Sequence, residues 1–159
     1  GVIQDLFIFC CYTGLAFNEM AHLEKHHIQL GFDNINWIKM KREKTQRLIS
    51  IPILPKAQKI IEKYSTDNNR IFPPISNQKF NSYLKEISAI TGIEKRLTHH
   101  IARKTFASTV LLYNDVPMEI VSELLGHSNM VITQESYGKV VQKKVSEEMK
   151  KLIIRINYK

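Results

Sequence analysis

Two short stretches of this chain carry side chains suited to work on a phosphate. In LTHHIARKTFAS, His100 and Arg103 stand three apart and so share one face of a helix. A guanidinium clamps two phosphate oxygens, and an imidazole beside it donates a hydrogen bond or carries a proton. In ELLGHSNMVITQESYGKV, His127 follows a glycine that ends a helix, at a corner where backbone can approach a ligand. Tyr137 follows further along. Its hydroxyl, with an ordinary pKa near 10, is a weak nucleophile, and neighbouring positive charge favours the phenolate that would attack. A third stretch, the charged turn REKTQR, holds Lys44, whose flexible stem can bring a point charge or a proton donor into a cleft. Each residue also has an ordinary alternative: a solvated helix face for His100 and Arg103, a core or interface position for Tyr137, a solvated turn for Lys44.

Composition narrows the partner. Among 159 residues, 23 Lys+Arg stand against 15 Asp+Glu, a formal charge of +8. A positive field of that size attracts polyanions, nucleic acid first and an acidic membrane surface second. No apolar run approaches the roughly 18 residues that would span a membrane. The apolar start GVIQDLFIFCCYTG lacks the basic leader and cleavage site of a secretory signal. Cys10 and Cys11 are neighbours and build no disulfide framework, which suits a reducing cytoplasm. His22 and His26 in HLEKHH have a ligand-like spacing, but Glu24 is misplaced for a zinc-protease helix and no third ligand accompanies them. No metal and no other cofactor is expected.

The elements that must position these residues are mostly helical. IQDLFIFCCYTG puts Ile3, Leu6, Phe7, Cys10 and Cys11 on one face and stops at Gly14, and NEMAHLEKHH reads as a second helix capped by Asn18. The period then changes to β-rich runs at Ile35–Met40 and Leu48–Ile51 around the charged turn, a hairpin closed by Pro52 and Pro55, with a third strand near Ile28. Helices follow from Pro55, over NQKFNSYLKEISAITG to Gly92, from Thr98 over the His100–Arg103 pair, and from Pro117 to Gly126. The tail KVVQKKVSEEMKKLIIRINYK is a basic amphipathic helix carrying Val141, Val145, Met149 and Leu152. The expected fold is mainly α with a small antiparallel β-sheet, one domain over 1–159 with 141–159 as a helical tail.

Taken together, CYTGLAFNEM, KTQRLISIPI, THHIARKTFAS and LLGHSNMVITQESYGKV resemble, in order and spacing, the catalytic core of the tyrosine recombinases, the integrases of phages and of conjugative and other transposons. The resemblance covers roughly residues 1–141. It implies site-specific DNA recombination or integration, in which a tyrosine attacks a DNA phosphodiester, forms a 3′-phosphotyrosyl link and frees a 5′-hydroxyl, without metal or cofactor. By position Tyr137 resembles the nucleophile, Arg103 the second arginine of the family, and His100 the helix histidine that handles protons. His127 resembles the later histidine that bonds the phosphate, Lys44 the hairpin lysine that protonates the leaving oxygen, and Glu19 the supporting acid of the first motif. That motif usually reads Thr-Gly-Leu-Arg; here it reads TGLA, with Ala16 in place of the arginine. A substitute cation, an engineered knockout and a degenerate enzyme would each account for it. A substitute is favoured because the other five positions are present, and Arg42 and Arg47 are its candidates. The interval from His127 to Tyr137 is one residue longer than the family's usual spacing.

The resemblance further implies double-stranded DNA as partner, a homo-oligomer on DNA (a tetrameric synapse) joined through the C-terminal helix, and a bacterial cytoplasm near the nucleoid. A tail packed on its own domain is the other reading of that helix. The N-terminal core-binding domain of the family is missing, so the chain reads as a fragment. A DNA-binding module that no longer cuts and a type IB topoisomerase are the alternative functions.

Overall fold

The first helix, α1 (Val2–Thr13), is apolar nearly all round and lies at the centre of the molecule, with Leu6, Phe9 and Cys10 fully buried. It stops at Gly14, in the left-handed conformation at φ 74°, whose N–H bonds back to the Cys10 carbonyl. A Cβ at Gly14 would stand 2.5 Å from Phe106 Cδ2, so both the conformation and the space demand glycine. The computed structural model describes residues 1–42, 45–93, 97–126 and 131–157.

A short helix, α2 (Phe17–Ala21), follows α1. The expected second helix was longer and capped by Asn18. In the structure the N-cap is Ala16, whose N–H donates to Glu19 Oε1 at 2.8 Å, and the helix ends at His22. It ends because Leu23 turns into the core, 1% exposed, and Glu24 pairs across an isolated bridge with Arg70. His22 and His26 therefore do not stand one turn apart on a helix; His26 lies in the 3₁₀ turn Lys25–His27.

Three antiparallel strands come next in the order β1 (Ile28–Leu30), β2 (Asn36–Lys41) and β3 (Leu48–Pro52). Ile38 and Met40 of β2 and Ile49 and Ile51 of β3 face the core, while Lys39 and Lys41 alternate to the outside, the period of 2 expected of a half-buried sheet. Helix α3 (Pro55–Tyr64) starts with proline in its first turn, and α4 (Asn77–Thr91) is capped by Ser76 and stopped by Gly92. Both pack Ile60, Ile61, Phe80 and Leu84 against the same core as α1 and the sheet.

Helix α5 (His99–Thr105) begins at Thr98, whose hydroxyl accepts from Ile101 N at 3.4 Å. It runs on as a π-helical segment over Phe106–Leu111. Thr105 and Ser108 donate their hydroxyls to the carbonyls of Ile101 and Lys104, which loosens the ordinary ladder there. Phe106 and Leu111 join Val121 and Leu125 of α6 (Met118–Leu125) and Val140 of α7 (Val131–Asn157) in a second apolar cluster. Each such buried side chain contributes about 1.5–3 kcal/mol. The architecture is the expected one, mainly α with one small antiparallel sheet.

Candidate active site

The site is built where three elements meet: the end of β2, the start of α2 and the C-terminus of α6. Arg42 follows β2 and keeps its ladder going, its N–H donating to Arg47 O at 2.9 Å. Counting by twos from Ile38 and Met40, it points to the core side of the sheet. There its guanidinium is almost enclosed, with 12% side-chain exposure against 6% for its partner Glu19. Nε donates to Glu19 Oε2 at 2.7 Å and Nη1 to the carbonyl of Leu125 at 2.6 Å.

Arg103, on α5, reaches the same point: its Nη2 donates to Leu125 O at 2.9 Å. The carbonyl end of α6 carries the negative pole of the helix and so suits two cations. Gly126 ends that helix in the left-handed conformation at φ 67°, and a Cβ on it would stand 3.2 Å from Arg42 Nη1. The backbone of 125–126 is thus shaped to let the arginine pass.

The charges do not balance. Two guanidiniums share one buried carboxylate, Glu19; the other carboxylate of the cleft they open onto, Glu24, lies at its rim against His26. Burial, then the nearness of Arg42, pushes the pKa of Arg103 down. An arginine stays charged under such pressure, so the cluster keeps an excess positive charge. Arg103 Nε, also buried, has no hydrogen-bond partner among the described residues. A buried donor without a partner is costly, and an anion seated here would relieve both the excess charge and the orphaned donor.

These arginines open onto a cleft of about 540 Å³ whose lining includes Ala16, Glu19, Lys41, Arg42, His100 and Arg103. His100 is exposed on the first turn of α5, one turn before Arg103. The space beside Ala16, where the family motif has arginine, thus opens onto a cleft that also receives Arg42. Arg47 lies exposed on the far limb of the turn and is not among the cleft residues. Lys44 and His127 lie outside the described residues. His22, Glu24, His26 and His27 complete the rim. Glu24 pairs with His26 Nδ1 at 3.2 Å, and His27 Nδ1 accepts from Glu24 N at 2.9 Å while burial pushes its pKa down. Among the described residues no group of three His, Cys, Asp or Glu could hold a metal. Cys10, buried near Arg103, has its thiol pKa pushed up by burial and stays a neutral core group.

Tyr137 stands apart from this cluster. It lies on α7, 44% exposed, and lines a groove of about 290 Å³ with Leu112, Pro117, Met118 and Lys144. Sequence reasoning named Glu19, Arg42, His100 and Arg103, which the structure brings together, and left out the Leu125 carbonyl that joins the two arginines. Only Gly126 hinted at it, by marking where α6 would expose its last carbonyls.

The tail is held along its first half. Val140 is buried, Lys144 pairs with Asp115 at 2.6 Å, and Tyr113 donates its hydroxyl to Glu147. Beyond these contacts Met149, Leu152, Ile153 and Ile156 are exposed. No helix among the described residues is long and apolar enough to cross a membrane.

Comparison with known proteins agrees with this geometry. The model of the phage integrase family matches residues 3–144. The tyrosine recombinase XerC of Rickettsia typhi is 30% identical over 144 residues, covering 83% of this chain and 45% of the relative. The tyrosine recombinase XerD of Listeria innocua serovar 6a is 31% identical over 140 residues, covering 77% and 45%. The chain therefore spans less than half the length of these curated relatives. Among solved structures, the catalytic domain of bacteriophage HP1 integrase superposes with a TM-score of 0.62 at 21% identity over 85% of this chain and 73% of its own. The XerH site-specific recombinase bound to a palindromic difH substrate does so with a TM-score of 0.70 at 18% identity over 92% and 44%. With a family model spanning nearly its whole length, the chain belongs to the phage integrase family of tyrosine recombinases.

Proposed function

We propose that this chain is the catalytic domain of a site-specific DNA recombinase that breaks and rejoins strands through a 3′-phosphotyrosyl intermediate. The observation that carries the reading is the convergence of Arg42 and Arg103 on one carbonyl, with a single carboxylate between two cations and a buried donor left open. A phosphodiester in transfer gathers negative charge on its non-bridging oxygens, and a preorganised pair of guanidiniums is what stabilises it.

In this reading the Tyr137 oxygen attacks phosphorus, the phosphorus–5′-oxygen bond breaks, and the phenolic proton passes to a base while the leaving oxygen gains one. Lys44 donates to that oxygen, His100 handles the proton at the phosphate, and His127 bonds a non-bridging oxygen. Glu19 orients Arg42, and Arg42 supplies the charge that Ala16 does not. Its support for that role is the shared Leu125 carbonyl; Arg47, exposed and outside the cleft, has no such support. The Tyr137 side chain lines a groove separate from the arginines, so α7 must bring it in, from this chain or a second copy on DNA. The chain works with double-stranded DNA in a bacterial cytoplasm, and the exposed apolar stripe past Lys144 joins subunits in the synapse.

The test is trapping of an SDS-resistant protein–DNA adduct on supercoiled plasmid. An adduct formed by the chain, lost in Tyr137→Phe and lost in Arg42→Ala, is the expected result. An adduct that survives Tyr137→Phe sinks the nucleophile, and one that survives Arg42→Ala sinks the substitute. If the chain retards DNA but traps nothing, and Ala16→Arg then restores trapping, the site is disabled and Arg42 is no replacement.

A further inference from the structure

A second trough, of about 450 Å³, adjoins the cleft and shares Phe17, Asn18, His22 and Asn77 with it. Helix α2 is the wall between the two: Glu19 faces the arginines, while Asn18 and His22 border both spaces. The cation on the far side is Arg70. We infer that this trough holds a DNA phosphodiester flanking the one under attack, with Arg70 as its positioning residue. The inference rests on the proposed reading of the cleft.

Four observations carry it. Arg70 is fixed at its backbone and, among the described residues, free at its tip. Lys25 N donates to Asn69 O at 2.9 Å and Ile71 N to Leu23 O at 3.1 Å, with Leu23 and Ile71 both buried, so the chain on either side is clamped to the core. The side chain above is exposed and makes no ion pair among the described residues, unlike Lys63, Lys144 and Lys151. Glu24, across the backbone bridge, gives its carboxylate to His26 and borders the cleft, not the trough.

The lining is also chosen for an anion. It holds no carboxylate, and its other polar side chains are Asn18, His22, Ser76 and Asn77. Ser76 Oγ accepts from Lys79 N at 3.1 Å and keeps its hydroxyl proton to donate. His22 Nδ1 bonds the Asn18 carbonyl at 2.7 Å, which fixes the ring against the wall. Finally, the trough and the cleft lie side by side, sharing Phe17, Asn18, His22 and Asn77. A single small anion needs one of them; a strand that repeats its charge about every 3.4 Å along the axis needs a row of positive stations.

The experiment measures binding of the full chain to a fluorescent mixed-sequence duplex across a salt series, in parallel with adduct trapping on supercoiled plasmid. Arg70→Ala is expected to lower the slope of log K against log salt by about 0.9, one phosphate contact. Arg70→Lys should restore the slope, and Lys59→Ala, an exposed cation on α3, should leave it unchanged. Trapping should fall about tenfold in Arg70→Ala at 0.15 M salt, the size of one lost contact of roughly 1.4 kcal/mol. A slope unchanged in Arg70→Ala but reduced in Arg42→Ala overturns the trough and leaves the cleft standing. Equal losses in Arg70→Ala and Lys59→Ala would reduce Arg70 to part of the general field and overturn it as well. Slopes that respond to neither Arg42→Ala nor Arg70→Ala would take down the cleft reading and this one with it.

Discussion

The arginine cluster and the tyrosine helix do their work under opposite conditions. Arg42 and Glu19 are almost enclosed and locked by bonds of 2.6–2.8 Å to each other, to the distant Leu125 carbonyl and to the Ala16 N–H that caps α2. Tyr137 sits on a half-exposed helix, in a groove that does not include the cluster. In the proposed reading, the electrostatic half of the site is assembled by folding, while the nucleophilic half depends on where α7 is brought. Charge stabilisation gains from rigidity, because donors already aimed need no reorganisation when charge develops. A nucleophile that must enter and leave a bond gains from being carried on a separate element.

The sharpest break of this comparison is Tyr137→Phe. It should abolish the trapped adduct and leave the melting temperature unmoved, since an exposed hydroxyl is lost. A clear fall in stability would show that Tyr137 is a packing residue and that the two regions are not separate in function. Next in size is Arg42→Ala. Loss of an arginine at a transferred phosphoryl group costs about 10³–10⁵ in rate, to be read as single-turnover adduct formation. It should also destabilise, because Glu19 is left buried without its partner, at roughly 3–5 kcal/mol for a broken buried pair. Arg42→Ala combined with Ala16→Arg asks whether the cluster wants a charge or this residue: recovery of rate says charge, and no recovery says that the Leu125 and Glu19 bonds set the geometry.

Much of the cluster could be read from the chain, for identifiable reasons. Thr98 caps α5 as expected, and the separation of His100 and Arg103 by three residues put both on the cleft. Gly14, Gly92 and Gly126 each end a helix in the left-handed conformation that only glycine takes easily. Which of Arg42 and Arg47 reaches the cleft was left open by composition. That much was legible by period, because Ile38, Met40 and Arg42 alternate to one face of the hairpin. What could not be read was the contact itself: Arg42 and Leu125 are 83 residues apart, and the acceptor is a backbone carbonyl that no residue type announces. The mistaken Asn18 cap has a similar origin. Glu19 supplies its carboxylate to the Ala16 N–H, so the capping group lies inside the helix and the position before it needs no polar side chain.

A smaller contrast sets one glycine from each region side by side. Gly126→Ala places a methyl in a left-handed position against Arg42 Nη1. It should cost about 1–2 kcal/mol of stability and slow adduct formation, because the guanidinium must shift. Gly138, next to Tyr137 in the middle of α7, has nothing within 4 Å of its would-be Cβ. Gly138→Ala should therefore stabilise the chain by about 0.5–1 kcal/mol through helix propensity alone, with adduct formation unchanged. Thermal melts of the two variants test both signs. Equal destabilisation would mean that α7 is packed as tightly as the cleft, against the difference drawn above.

The least effect on the single chain is expected at the end of the tail. Val145, Met149, Leu152 and Ile156 fall on one face of α7 and all are exposed, the last three past the anchoring contacts at Lys144 and Glu147. Replacing Leu152 and Ile156 together by aspartate removes no buried contact, so the melt should stay within about 0.5 kcal/mol of the parent. What should disappear is assembly: on a duplex long enough for two subunits, sedimentation should show the parent as a multimer and the variant as single bound chains. In the proposed reading the apolar stripe is a partner surface, the kind of contiguous exposed patch that marks an interaction site. A stability loss well beyond 0.5 kcal/mol would place that stripe on its own domain, and an unchanged multimer would move the subunit contact elsewhere. Either result would draw the tail back toward the rigid half of the molecule and leave Tyr137 with less freedom to travel than its exposure implies.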